Sequence, residues 1–537
     1  MKKILHILLL VAVAGVISPA CKKSFESLYQ NTNKPTKVPP SLLLNGVLFD
    51  MYDAPYSMQE RWAQYYACNY DYYGNNRYDF GAVNNSFTDY YNTLKNVGYM
   101  EQAAIAYGGN AVNPYEALAK FFRAYFFTKV SLLVGDVPMT DALKGATNLT
   151  PKYNTQKDVF KQAFLWLDSA NTDLGKLISS PDNKNLSDGQ TLKGDFFLGN
   201  SLAGWRKVVN TYRLRMLIEL SKRADDNADL NVKTQFATIV GNPTQYPIMT
   251  SAGDNLQFAY VHPTNDYPMN PGNFGFDALR YNMTATYVGM LTSLQDPRVF
   301  VTAEPASALV TGSVKTTDFA AFVGAPSGED LGVMYIKANA GQYSLINRKH
   351  FYDTYTGEPS IQIGYPELLF NIAEAINRGW ITAGPLGDAE AHYTAAIQAS
   401  WAFYGIPTTG AMTAYFLHPG ASLGTYDPYT VNVDYATYYN RAAVKYAGNT
   451  ATGLTQILQQ RYLALFRHSG MEPYFTWRRT GVPAFSTGPG TGNSSRIALR
   501  FQYQGSEKSA NATNYAAALQ SQYGGNDDIN GQMWIIK

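Results

Sequence analysis

Apolar residues recur three and four positions apart over much of the chain, a spacing that predicts helices at 41–52, 58–67, 87–107, 115–133, 160–177, 205–223, 363–379 and 388–403. In the sixth of these, Trp205, Val208, Tyr212, Met216 and Leu220 share one face, while lysines and arginines line the others. Leu369, Ile372, Ala373 and Ile376 form the inner stripe of the seventh, and a Gly-Pro-Leu-Gly turn at 384–387 leads into the eighth. Two helices joined by a short turn are the helix-turn-helix unit of helical repeat folds.

Residues 456–483 read as two further short helices and a corner. Leu458, Tyr462, Leu465 and Phe466 form an apolar stripe, and the alternation assigns Gln459, Gln460, Arg467 and His468 to the wet side. Ser469 and Gly470 stop the first helix, and Pro473 opens the second, where the amide it lacks would be unpaired anyway. Glu472 lies near Arg478 and Arg479 in sequence, so charge-assisted bonds among them are expected at the junction. Aromatic and arginine side chains at helical spacing are more often architecture than ligand contacts.

Helical spacing fails in two stretches. Residues 65–80, YYACNYDYYGNNRYDF, crowd six tyrosines among Asn and Asp around Gly74, which predicts a loop or frayed helix end. Residues 241–285 are rich in Pro, Asn, Gly and Tyr, and loops of that length are uncommon unless functional. Tyr70, Tyr72, Tyr73, Asn75 and Tyr78 in the first, with Tyr267, Asn273, Phe274 and Tyr281 in the second, offer flat rings beside amides. These nine are the candidate ligand contacts.

Composition sharpens that reading. The chain has 46% hydrophobic and 16% charged residues, the balance of a globular protein with a large core. A net charge of +2, with no long basic block, excludes a phosphate-tracking surface and so nucleic acid. Tyrosine, at 41 residues, exceeds phenylalanine at 27, and a phenol can lie on an apolar face while its hydroxyl reaches water or a ligand.

The amino terminus reads as an export signal over residues 1–20. Lys2 and Lys3 precede an uncharged run shorter than a membrane span, and Ala20 leads to Cys21. Cys21 is the candidate lipidation site, although Ser18 and Pro19 depart from the usual pattern before it. Residues 21–40 form a polar, proline-bearing tether, and 41–537 form the folded domain. Cys68, the other cysteine, reads as a small buried hydrophobe.

Several phrases together resemble the SusD/RagB family of outer-membrane lipoproteins. At the corner they are Ile457, Gln460, Arg461, Ala464, Leu465 and Phe466, then Glu472, Arg478, Arg479, Thr480, Gly481 and Pro483. Upstream lie the Gly135-Asp136-Val137-Pro138 turn and the helix with Trp205, Asn210, Arg213, Leu214 and Arg215. Asp296-Pro297-Arg298 and Tyr365-Pro366-Glu367 with Ala373-Glu374-Ala375 follow, and Arg500, Tyr503, Glu507 and Asn511 close the series. The resemblance implies a mostly α fold of about four tetratricopeptide-like helix pairs with a loop-rich ligand side. It further implies a surface-exposed, lipid-anchored protein that captures glycans, or in some members peptides, for a SusC-like TonB-dependent transporter. Lys22 and Lys23 stand where surface-exported relatives often carry acidic residues, which leaves a periplasm-facing anchor open.

Enzyme motifs are weak. Gly420-Ala421-Ser422-Leu423-Gly424 has the letters of a nucleophile elbow, but His418-Pro419 before it and Thr425 to Pro428 after it read as plain loop. The six histidines show no zinc spacing, and the calcium-like run from Asn526 ends in Lys537 where a glutamate belongs. No cofactor and no metal is expected. A secreted glycoside hydrolase and a helical scaffold for envelope assembly are the alternatives, since paired carboxylates need not be near in sequence.

Overall fold

The computed structural model describes residues 37–83, 86–180, 186–275 and 277–537. The expected export signal, Cys21 and most of the expected tether lie outside the described residues. From Pro40 to Lys537 the chain forms one unit. Its longer helices are α1 (Pro40–Met51), α2 (Ser86–Ala106), α3 (Pro114–Val134), α4 (Gln156–Ser179), α5 (Leu202–Glu219), α6 (Val232–Gly241), α7 (Ala285–Leu294), α8 (Leu331–Asn339), α9 (Tyr365–Asn377), α10 (Ala389–Phe403), α11 (Ala451–Ala464), α12 (Glu472–Thr480) and α13 (Ala512–Tyr523).

Successive helices pack as pairs: α1 on α2, α3 on α4, α5 on α6 and α9 on α10. Four helix pairs is the architecture the sequence resemblance implied. Local chemistry sets their ends. The Asn113 side chain accepts from the Glu116 amide at the start of α3, Thr155 accepts from the Asp158 amide at α4, and Asp388 accepts from the Ala391 amide at α10. Trp205, Tyr212, Phe121, Phe122 and Tyr125 interlock α3 with α5 in the core.

Strands are short and local: β1 (Tyr66–Cys68), β2 (Val137–Pro138), β3 (Tyr153–Asn154), β4 (Leu256–Phe258), β5 (Tyr281–Met283), β6 (Ser360–Ile363), β7 (Thr409–Leu417) and β8 (Tyr426–Asp434). The helix expected over 58–67 stops at Trp62, and Tyr66–Cys68 instead pairs antiparallel with Tyr281–Met283. All three β1 side chains are buried, which a one-faced helix at that place would not allow. The Gly420–Gly424 run closes a β7–β8 hairpin nine residues long on each side, a feature with too little apolar alternation to be read from the chain. A strand follows it where a nucleophile elbow needs a helix.

The polar residues of the corner behave otherwise than expected. Gln460, Arg467 and His468 are buried, not on a wet side. Arg461 binds Glu367 at 3.2 Å and Glu472 at 2.9 Å, Arg215 reaches Glu367 Oε1 at 2.7 Å through Nε, and Arg479 holds Glu374 through both terminal nitrogens. Glu472 therefore pairs with Arg461 and not with Arg478, which donates to the carbonyls of Leu132 and Leu499. Nearby, Arg298 grips Asp296 and donates to Gln460 at 2.6 Å. Nearly all of these are letters of the family phrases. Separate in sequence, they meet in one buried lattice that ties α5, α9, α11 and α12 together.

Burial alone would raise the Glu374 carboxyl, but Arg479 and Arg378 outweigh it and bring it down to about 2. Glu367 is likewise lowered, because Arg215 and Arg461 exceed the effect of burial. Glu219 goes the other way, since burial and then its neighbour Glu472 push it up to about 8. Four carboxyls, Glu219, Glu367, Glu374 and Glu472, share Arg215, Arg461 and Arg479, with Arg378 at the rim, and Glu219 is the least closely paired, 3.7 Å from Arg479 Nε.

Candidate functional site

The β1–β5 pairing brings the two aromatic loops side by side although some 200 positions separate them in sequence. Asn69 is the clamp between them. Its amide donates to the Arg280 carbonyl at 2.9 Å, and its side chain donates to the Leu279 carbonyl at 3.0 Å. The base of the first loop is pinned by Asn76, which accepts from the Cys68 amide at 2.7 Å and donates back to the Cys68 carbonyl at 2.8 Å. Gly74 has φ +130°, and a Cβ there would lie 2.4 Å from Arg61 Nη1, so the turn takes glycine. Cys68 itself is buried, and burial raises its thiol, in keeping with a packing role.

On the outer side of this clamp lies an aromatic face. Tyr72 is 84% exposed, Tyr70 42% and Tyr335, from α8, 37%. The Arg280 guanidinium sits 4.8 Å from the Tyr70 ring centre and 5.8 Å from that of Tyr335. Tyr73 joins edge-on to Tyr72 at 5.2 Å, and its carbonyl accepts from the Tyr281 hydroxyl at 3.5 Å. The Asn75 backbone carbonyl accepts from Arg61 at 3.1 Å, and its side chain is half-buried. Leu279, Val333 and Ile336, in the same two segments, are exposed apolar residues.

Two of the nine candidate contacts do not face solvent. Tyr78 is 1% exposed; its hydroxyl donates to the Trp62 carbonyl at 2.8 Å and accepts from Gln64 at 3.3 Å. Tyr267 is fully buried, edge-on to Tyr260 and beneath the Arg467 guanidinium. Long loops in this protein carry their own core, and these rings belong to it. Phe274 is half-buried against Tyr352, and exposed Asn273 donates to the Pro268 carbonyl within its own loop. The sequence reading missed Tyr335: it sits in a nine-residue helix for which the spacing gave no signal, and only the fold carries it to the face.

The fold is matched in known proteins. The family described as "Starch-binding associating with outer membrane" matches residues 32–504. The chain belongs to the SusD-like family. A crystal structure of a SusD homologue from Bacteroides fragilis is 31% identical with a TM-score of 0.78, covering 93% of this chain and 100% of that one. A second B. fragilis SusD homologue is 26% identical with a TM-score of 0.73, over 93% of this chain and 100% of its own. A chitin-binding SusD homologue from Flavobacterium johnsoniae, at 19% identity and a TM-score of 0.64 over 92% of this chain and 98% of its own, shares the fold. No curated protein matches the chain. Among the described residues of this SusD-like protein, no helix is long and apolar enough to cross a membrane. Among them too, no group of three or more His, Cys, Asp or Glu is placed to hold a metal ion.

Proposed function

We propose that the protein captures glycans on the Tyr70–Tyr72–Tyr335 face and delivers them to a SusC-like TonB-dependent transporter, held at the outer membrane by acyl chains on Cys21. The observation that carries this reading is that the Asn69 clamp joins the two loops and Arg280 then sits against exposed rings of both Tyr70 and Tyr335, so three chain segments meet on one surface. A tyrosine face stacks on the C–H face of a sugar ring, while hydroxyl, amide and guanidinium groups at its edge hydrogen-bond the sugar hydroxyls. Relatives described as starch-associated or chitin-binding support a glycan over a peptide.

The test is affinity across a panel of polysaccharides and peptides, with wild type beside Tyr72→Ala and Tyr335→Ala. Glycan binding weakened in both variants is expected. Retention of full affinity in both would remove this face, and binding of peptides alone would change the ligand class. Release of reducing ends by purified protein would replace capture with hydrolysis. Cys21→Ala should shift the protein from the membrane to the soluble fraction, and its retention at the membrane would refute the anchor.

A further inference from the structure

A cavity of about 540 Å³ lies behind the first aromatic loop, between α3, α5 and α12. Its mouth is at Asp79 and Gly81, both exposed. Trp62, Phe80 and Phe501 form one wall; Phe80 and Phe501 stack at 4.2 Å and Trp62 meets Phe80 edge-on at 4.7 Å. Tyr125 and Tyr212 line it as well.

The polar end is built from buried and half-buried charges that already neutralise one another. Lys129 holds both oxygens of Asp53 at 2.8 Å, Arg215 is committed to Glu367, and Glu472 to Arg461. Gly470, at φ +56°, lets the corner approach so closely that a Cβ there would lie 2.6 Å from the Asp53 carboxylate. Gln59 is on the lining, and its Oε1 is buried with no hydrogen-bond partner among the described residues. Arg215 donates through Nε and Nη2, leaving Nη1 outside these bonds.

We propose that this cavity is a second binding site, for a neutral sugar ring as a monosaccharide or the end of a short oligosaccharide. A ligand with net charge would enter a low-dielectric space whose ions are all matched, and its own charge would stay uncompensated. A neutral hydroxyl both donates and accepts, so it can satisfy Gln59 Oε1 and meet Arg215 or Lys129 without disturbing their pairs. The aromatic wall suits the apolar face of the ring, and the volume is that of ordinary small-molecule sites. The inference shares its ligand class with the surface reading above and rests on it to that extent, but it concerns different residues.

Calorimetric titration with glucose, N-acetylglucosamine and their disaccharides, beside a long glycan bound by the wild type, tests both sites at once. Gly81→Trp places a ring across the mouth at a position where an added Cβ meets nothing within 4 Å, and Gln59→Leu removes the lone acceptor. Both variants should lose short-sugar affinity by about tenfold or more while keeping their melting temperature and the long-glycan affinity. Tyr72→Ala should do the reverse. Short sugars that bind neither wild type nor variants, or bind all of them alike, would overturn the cavity site and leave the surface reading intact. Short-sugar binding that survives while the long glycan fails would do the opposite. Amino acids or dipeptides binding in place of sugars, with loss in Gly81→Trp, would overturn the ligand class.

Discussion

Arginine serves opposite ends in two regions of this protein. In the lattice of α5, α9, α11 and α12, Arg215, Arg461 and Arg479 are enclosed by carboxylates contributed from other helices. At the surface, Arg280 lies against the rings of Tyr70 and Tyr335, and both residues stay partly exposed. A guanidinium shut in with glutamates is worth little net energy against an apolar substitute, but each pair is satisfied in one arrangement of helices only. A guanidinium against exposed rings orders a contact surface and contributes less to folding. The first region should therefore govern stability, and the second, affinity.

The sharpest way to break this contrast is Arg461→Met, which strips a partner from both Glu367 and Glu472. It should cost about 3–5 kcal/mol of unfolding free energy, read from urea midpoints, with unchanged glycan affinity in the folded fraction. A large affinity loss at preserved stability would reverse the roles assigned to the two regions.

Glu219 offers a graded version. Its folded-state value of about 8 lies above its ordinary 4.5, so between these values the folded protein holds a proton that the unfolded chain has released. Stability from this group is complete below about pH 4.5 and is lost as pH rises through about 8. Wild type should lose up to a few kcal/mol between pH 5 and 9 from this source, and Glu219→Gln should flatten that slope. Parallel pH profiles for the two proteins would show that the lattice holds no such proton.

At the surface the effects are smaller. Tyr72→Ala should weaken glycan binding by about tenfold, or ~1.4 kcal/mol, and move the unfolding midpoint by less than ~0.5 kcal/mol. Tyr78→Phe sharpens the line between the regions, because it removes a buried hydroxyl that donates to Trp62. It should cost about 1 kcal/mol of stability and no affinity. Lost glycan binding in Tyr78→Phe would return that tyrosine to the site.

Helix positions were the most legible feature. The expected 115–133 and 87–107 lie within a residue of the observed Pro114–Val134 and Ser86–Ala106, because a long apolar stripe at helical spacing has few alternatives. The error at 58–67 has a plain cause. Tyr66 and Ala67 are apolar enough for a helix, and their place in β1 depends on a partner strand at 281–283 that local spacing does not reveal. The site was half legible. Tyrosine and asparagine crowding located both loops, yet it did not separate Tyr72, which stands in solvent, from Tyr78, six residues on and sealed against Trp62.

By itself the sequence determined most of the longer helices and the letters of the family phrases, since each depends on spacing within one segment. Tertiary structure alone decided which glutamate each arginine holds, which tyrosines face water and where Tyr335 stands. Those outcomes rest on contacts between segments tens to hundreds of residues apart. A buried charge takes whichever opposite charge the packed helices bring within reach, and a loop ring is exposed or enclosed according to what packs over it.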